Sequence, residues 1–487
     1  VREDTATSGL ISINLDSANR DKNTLPQQGE NIQRLPGNTQ LAKVAPGDPI
    51  DVYASVGTLV GYNDQYNGLL IDNKGAAAIR FGEGEATLDA FGGLRVSNSS
   101  VQGDYFFPQG VNTRLFSINA QGSATITHDA NLRAVVLTNT GATGDLIQYT
   151  SDQYHHYIPG FGQTTLMTVA AGDTGKANLT RNWGYFNDDN GMMFRESNGL
   201  SAVVRSSVTG TVQETIVDQS NWNKDTFDGT SGIDNPSGVA LDVTKDNIYW
   251  FDMQWLGAGR IRFGVYIAGE RVIAHEYYHS NLYPYPNMQT GSLPIRIEQR
   301  NDGATGATSQ LKLWCCGVLT EGNVDISQLG TNFSVEAAGI TSGTTETLIG
   351  GTRPIAVHPS GDINHNLYFP KDIFVGAWDS TAGAAAFVKI GVYGGGEIAG
   401  GSWDQKPGTL FESNTTGTVG TPGLKIAEYF VNATQIIDTS SRFSNSQNAI
   451  KNKADGTQPL FYFTATKLVG TNDVSTQLSI TFKDVPN

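Results

Sequence analysis

Charge is scarce in this chain of 487 residues: Asp, Glu, Lys and Arg together make up 16% of it. A soluble globular protein usually carries about a quarter, and long surface helices draw heavily on Glu, Lys and Ala. Cysteine is scarcer still, with Cys315 and Cys316 the only two. Neighbours on a strand face opposite sides, which disfavours a disulfide between them, and two thiols cannot complete a structural zinc site. Both are expected to be small buried residues. No window reaches the roughly 18 apolar residues of a membrane-spanning helix. No charged-then-apolar leader opens the chain at Val1, so nothing there directs secretion, and a processed leader ahead of Val1 stays open. A net charge of −15 and a pI near 4.9 exclude a surface built for nucleic acid, which needs clustered Lys and Arg.

What the chain does have is 57 Gly and many Ser, Thr and Asn between short apolar runs. That composition favours strands and turns, and the expected fold is all-β. Residues 1–48 are polar and broken by Pro26, Pro36 and Pro46; they read as an extended N-terminal arm, with Leu10–Leu15 able to add as a strand to a neighbour. Residues 49–88 read as a small β unit, with Val56–Val60 as a strand and hairpin signals at Asn63-Asp64 and Asn67-Gly68. Residues 89–325 carry the strongest pattern, including 132–137, 164–169, 200–205 and 248–253, with turn clusters between them. This spacing predicts a central sandwich of two antiparallel sheets, jelly-roll or lectin-like, with one or two helical turns near Gln219–Lys224. Residues 326–349 read as a linker. Strands at 373–377, 386–393, 460–463 and 478–482 predict a second sandwich over 350–487.

One stretch spells a catalytic motif. His275-Glu276-Tyr277-Tyr278-His279 matches H-E-x-x-H, in which two histidines on one face of a helix grip zinc and the glutamate polarises its water. On a strand the same histidines would stand about 13 Å apart and could not share a metal. The context favours the strand. Ile261–Ile267 and Val272–Tyr278 both alternate with period two, Ala268-Gly269-Glu270 lies between them, and Pro284 and Pro286 follow. No metal site, cofactor or enzymatic activity is expected.

Weaker signals receive similar treatment. His155-His156 sits in a loop entry and reads as structural; Asn187–Gly191 offers oxygen ligands but lacks the EF-hand spacing, so a turn is the default over calcium. Gly394–Gly401 matches no phosphate-binding fingerprint and reads as a turn. Glycoside hydrolysis needs two carboxylates in a cleft, and Asp252, Glu276 and Glu298 lie on predicted strands near aromatic rings. The same composition suits a glycan-binding or interface surface, for which Trp250, Trp255 and Tyr277 are the candidates.

The middle region also resembles a known family. Asp89-Ala90-Phe91-Gly92-Gly93-Leu94-Arg95-Val96-Ser97 is similar to the D-A-F-G-R-L-R-V-S string of virion structural proteins of tailed bacteriophages, with Gly93 in place of the arginine. The resemblance continues through Trp183–Gly191, Gln219–Asp225, Asp228-Gly229, Ser237-Gly238 and Leu241-Asp242. It resumes in Gln254–Gly264, His275-Glu276, His279-Ser280-Asn281 and Leu293–Arg296. It spans residues 85–320 in order, and more loosely the part from Arg353. It implies a virion component of the tail, baseplate, collar or fibre that acts by self-assembly. The implied partners are further copies of itself and other virion proteins, with no catalytic residues. A carbohydrate- or host-receptor-binding fibre, or a head decoration, is the alternative, with a host surface glycan as partner.

Overall fold

A computed structural model describes residues 99–322, 329–379, 386–432, 435–438, 449–469 and 472–486, with short backbone segments before residue 80. The chain divides into two units, Val1–Leu88 and Asp89–Asn487. In the first, Asn31–Arg34 pairs with Leu41–Val44, and Val56–Leu59, Asn67–Ile71 and Ala77–Ile79 form a three-stranded sheet. A strand pair thus occurs where an extended arm is expected, with Pro36-Gly37 between its strands. Asn67-Gly68 opens a strand, so of the two expected turn dipeptides only Asn63-Asp64 falls between strands. Leu10–Leu15 and Asp89–Ser97 lie outside the described residues.

The second unit is all-β, as its composition requires, and contains two sandwiches. In the central one a seven-stranded sheet runs Gln213–Asp218, Leu200–Ser206, Gly191–Glu196, Leu179–Phe186, Ile295–Asn301, Leu146–Ser151, Phe116–Gln121. The facing sheet runs Glu270–Tyr277, Ile261–Ile267, Asn247–Met253, Gln163–Ala171, Ser309–Thr320, Ala134–Asn139, Thr125–Asp129, with Ser100–Phe106 also paired to Ser309–Thr320. The chain repeatedly leaves one sheet for the other, for example from Leu146–Ser151 to Gln163–Ala171 and back to Leu179–Phe186. Neither sheet is complete without most of the sequence between residues 100 and 320.

Alternation decides what each strand buries. Trp183 and Tyr185 from the first sheet, and Tyr249, Phe251, Met253, Ile261, Phe263 and Val265 from the second, all point into one core. Phe194 lies among them, 5.7 Å from Trp222, 5.1 Å from Tyr249, 5.4 Å from Phe251 and 5.6 Å from Phe263, ring centre to ring centre. Two residues, Ala268 (φ 51°) and Gly269 (φ 90°), join Ile261–Ile267 to Glu270–Tyr277. Both are left-handed, as the tightest hairpin turn demands. The expected helical turn is a single 3₁₀ turn, Gln219–Asn221.

The C-terminal sandwich sets the sheet Thr331–Ser342, Val474–Val485, Leu367–Asp379, Gln435–Asp438 against a six-stranded one. That second sheet runs Asp404–Gln405, Phe411–Asn414, Thr347–Pro354, Phe461–Val469, Phe387–Gly394, Leu424–Asn432. Residues 326–349 are therefore not simply a linker. Val335 and Ala337 enter the core with Phe333 against its rim, and Val335 pairs with Ile480. The polar Ser334 and Glu336 between them face outward, and this dilution hides the strand in the sequence.

Phe194→Ala is expected to lower the unfolding free energy of the central sandwich by about 3–5 kcal/mol, because the rings around it cannot close the void. Urea unfolding followed by tryptophan fluorescence measures this. Exposed Ile233→Ala should stay within about 0.5 kcal/mol of the parent.

Candidate functional site

The H-E-x-x-H stretch breaks at the end of a strand. Glu270–Tyr277 holds its first three residues, while Tyr278 and His279 lie beyond. His275 pairs with Phe263 and faces inward, and its Nδ1 accepts the Asn223 N–H at 3.3 Å. Burial pushes this imidazole down to about 4, against the opposing pull of Glu276. Glu276 faces the other side, paired with Arg260 at 2.9 Å and Lys224 at 3.4 Å. His279 Nε2 bonds the Tyr285 carbonyl at 2.6 Å. A carbonyl only accepts, so Nε2 carries a proton, and Nδ1 is hydrogen-bonded with the Tyr277 hydroxyl at 3.2 Å. The three groups of a zinc-protease motif are thus committed to three different places. Among the described residues no group of three or more His, Cys, Asp or Glu is placed to hold a metal ion.

His279 instead organises a tyrosine loop. Its ring lies 5.0 Å from Tyr283 and 6.0 Å from Tyr285, and those two tyrosines stack at 5.5 Å and 25°. Tyr283 is 51% exposed and Tyr285 40%, whereas His279 beneath them is buried. The loop is tied down at its far end, where Asn287 donates its backbone N–H to the Gly257 carbonyl at 2.7 Å and its side chain to Gly259 at 3.0 Å. Pro284 and Pro286 fix φ on either side of Tyr285 and withhold donors, so the segment cannot continue as a strand. A cavity of about 110 Å³ opens beside the rings. Its polar lining comes from Ser206, Thr209, Gln213, Thr215 and Asn287, and it includes no Asp, Glu, Lys or Arg.

Of the three aromatic candidates from the sequence, only Tyr277 lines this cavity. Trp250 does face outward from its sheet, yet it is 1% exposed because the Arg271 guanidinium lies 3.8 Å over its ring. The ring lies across the neighbouring strand at Gly264, where a Cβ would come within 2.2 Å of it. Trp255 is half-buried and meets Tyr157 edge-on at 5.9 Å. Trp250 therefore offers no free ring face for a sugar. Tyr283 and Tyr285 escaped the sequence reading, although Tyr-Pro-Tyr-Pro was their signal: proline holds the rings in a loop, outside any core.

The carboxylates considered for hydrolysis do not converge. Asp252 and Glu276 face out from one sheet, with Arg262 between them in the register and bonded to Asp252 at 2.6 Å. Glu298 belongs to the other sheet, where Asn182 and Gln148 donate to it at 2.6 and 2.9 Å. His155 is fully buried between the Tyr105 hydroxyl and the Leu293 carbonyl. Asn187–Gly191 is a turn in which Asn187 accepts the Asp189 and Asn190 N–H groups, and Asp188 pairs with Arg296 at 2.5 Å. In Gly394–Gly401 a turn leads into the short strand Ile398–Ala399. Cys316 is buried and Cys315 partly so, both as free thiols.

No family model and no curated protein matches the chain. Solved structures similar to it include a glycosyl hydrolase family 16 protein from Mycobacterium smegmatis, 12% identical over 45% of this chain and 100% of that one, with a TM-score of 0.31. A legume lectin-like domain from Entamoeba histolytica is 8% identical over 46% of this chain and 98% of that one, with a TM-score of 0.27. These likenesses do not bear on what this chain binds.

Burial holds three imidazoles low: His155 and His365 at about 3, His275 at about 4. In the unfolded chain they titrate near 6.5. The unfolded state therefore binds more protons below that value, so their contribution is complete above about pH 6.5 and is lost as pH falls toward 4. Urea unfolding at pH 7.5 and 5 is expected to show a drop in stability, and His155→Asn should reduce the size of that drop while lowering stability at both pH values.

Proposed function

We propose that this chain is a surface component of a tailed-bacteriophage particle, in its tail region, and that its tyrosine loop binds a neutral glycan of the host. The observation that carries the binding is the pair of exposed, stacked rings of Tyr283 and Tyr285 over a cavity lined by no Asp, Glu, Lys or Arg. Aromatic faces pack on the C–H faces of pyranose rings, while a few placed hydroxyl and amide groups pair with sugar hydroxyls and set orientation. A lining without Lys or Arg suits a neutral sugar over a uronate or sialate. The virion setting rests on the ordered string of family-like segments between residues 85 and 320.

A glycan array and titration calorimetry with host surface polysaccharide test the binding. Tyr283→Ala and Tyr285→Ala are each expected to weaken it at least tenfold, about 1.4 kcal/mol, with melting unchanged. Binding only to acidic glycans, or none to any, would sink the proposal. The setting is tested by a map of the intact particle; finding the chain only in a cellular complex and never in particles removes it.

Self-assembly has its own supporting observation. Among the described residues Leu424–Asn432 is an edge strand, paired only with Phe387–Gly394. Its outward face exposes Leu424 and Phe430 beside the Glu428 carboxylate, while Ala427, Tyr429 and Val431 face the core. A long, half-paired edge with an exposed Phe430 ring invites a second copy. Phe430→Lys is expected to convert an oligomer to monomer in light scattering, with the circular dichroism of the sheets retained.

A further inference from the structure

The two sandwiches of the second unit meet around a cleft of about 620 Å³, well apart in sequence from the tyrosine loop. Both walls are held in place. On the central side, the Tyr149 hydroxyl accepts the Asn112 N–H at 2.9 Å and donates to its carbonyl at 3.0 Å. The Asn112 side chain then accepts the N–H groups of Arg114 and Leu115, each at 3.1 Å. This fixes Arg114 and Leu115 at the rim. On the C-terminal side, Asn452 is fully buried, and its amide donates to the carbonyls of Ile355 at 2.8 Å and Asn364 at 3.0 Å. Its two neighbours, Lys451 and Lys453, line the cleft instead. The Ala454 N–H donates across the joint to Asp152 Oδ1 at 3.2 Å.

The lining has a definite chemistry. Arg114, Lys451 and Lys453 bring three positive charges against the single carboxylate of Asp152, in a protein whose net charge is −15. Asp152 is further occupied by the Ser117 hydroxyl at 2.5 Å. Beside the charges stands an aliphatic wall that includes Ile426, Ile450 and Leu460. Burial holds the Lys451 ammonium down to about 8 against the attraction of Asp152, so a further anion there would favour its charged form. Cations next to aliphatic side chains, with Phe461 the one aromatic ring among the lining residues, suit a ligand of two halves.

We propose that this cleft binds an amphiphilic anion, a carboxylate or phosphate head on an aliphatic body, with Arg114, Lys451 and Lys453 on the head and Leu115, Ile426 and Leu460 on the body. The ligand would span both sandwiches and so stiffen the joint between them.

Titration calorimetry on the full chain uses octanoate, octyl phosphate, inorganic phosphate and octanol. One or both octyl anions are expected to bind, and their relative affinities tell whether a carboxylate or a phosphate head is preferred. Inorganic phosphate and octanol are each expected to bind at least tenfold more weakly. Lys451→Ala and the surface change Arg114→Ala should each weaken the preferred anion at least fivefold, and Ile426→Ser should weaken it without altering the salt dependence. Tyr283→Ala should leave it unchanged, which separates this site from the glycan site. The proposal is overturned if neither octyl anion binds, if octanol or inorganic phosphate binds equally well, or if Arg114→Ala and Lys451→Ala both bind like the parent.

Discussion

The interleaving of aromatic rings from two sheets around Phe194 is the contact on which the central sandwich depends. Trp183 reaches across to Tyr249 at 5.0 Å, and Phe194 touches rings from strands distant in sequence. Burying such rings supplies much of the free energy that pays for ordering so much backbone. It also sets the register: sliding any of these strands by one residue would put its rings outside and its polar residues in the core.

The same register organises the few charges. On the outer face of the seven-stranded sheet, polar residues form a row: Glu214 accepts from Arg195 two strands away, and then, between directly opposed residues, Arg195 donates to Asn182 and Asn182 donates to Glu298. Gln148 then donates to Glu298, and Asn119 donates to Gln148. Burial pushes the Glu214 carboxyl up, yet Arg195 and Arg205 overcome it and hold it down to about 2. Inside the core, Arg181 is fully buried and satisfied by Glu196 at 2.7 Å, by Gln299 at 2.9 Å and by Asp173. Removing one partner would strand a buried charge, a loss of about 3–5 kcal/mol. A chain this poor in charge uses much of what it has to pin strands together, and the tyrosine cavity is lined by no Asp, Glu, Lys or Arg.

Legibility followed the strength of local pattern. Ile261–Ile267 and its hairpin partner were plain, because large apolar residues alternate and Ala268-Gly269 supplies the turn. Thr331–Ser342 was not, because Ala and Ser dilute its alternation and its partner, Val474–Val485, is over a hundred residues away. The burial of Trp250 is hidden for a similar reason: nothing local says that Arg271 will lie across its ring. The tyrosine loop was half legible, since Pro284 and Pro286 announce a loop but not its packing over His279.

By itself the sequence determined the all-β class, the strand reading of His275–Tyr277 and the hairpin before it, because period-two alternation and turn residues act over a few neighbours. Only the tertiary structure decided which aromatics stay exposed, which carboxylates are already paired, and that a cationic cleft opens between the sandwiches. Those outcomes depend on residues brought together from distant strands, and a linear pattern records no such distance.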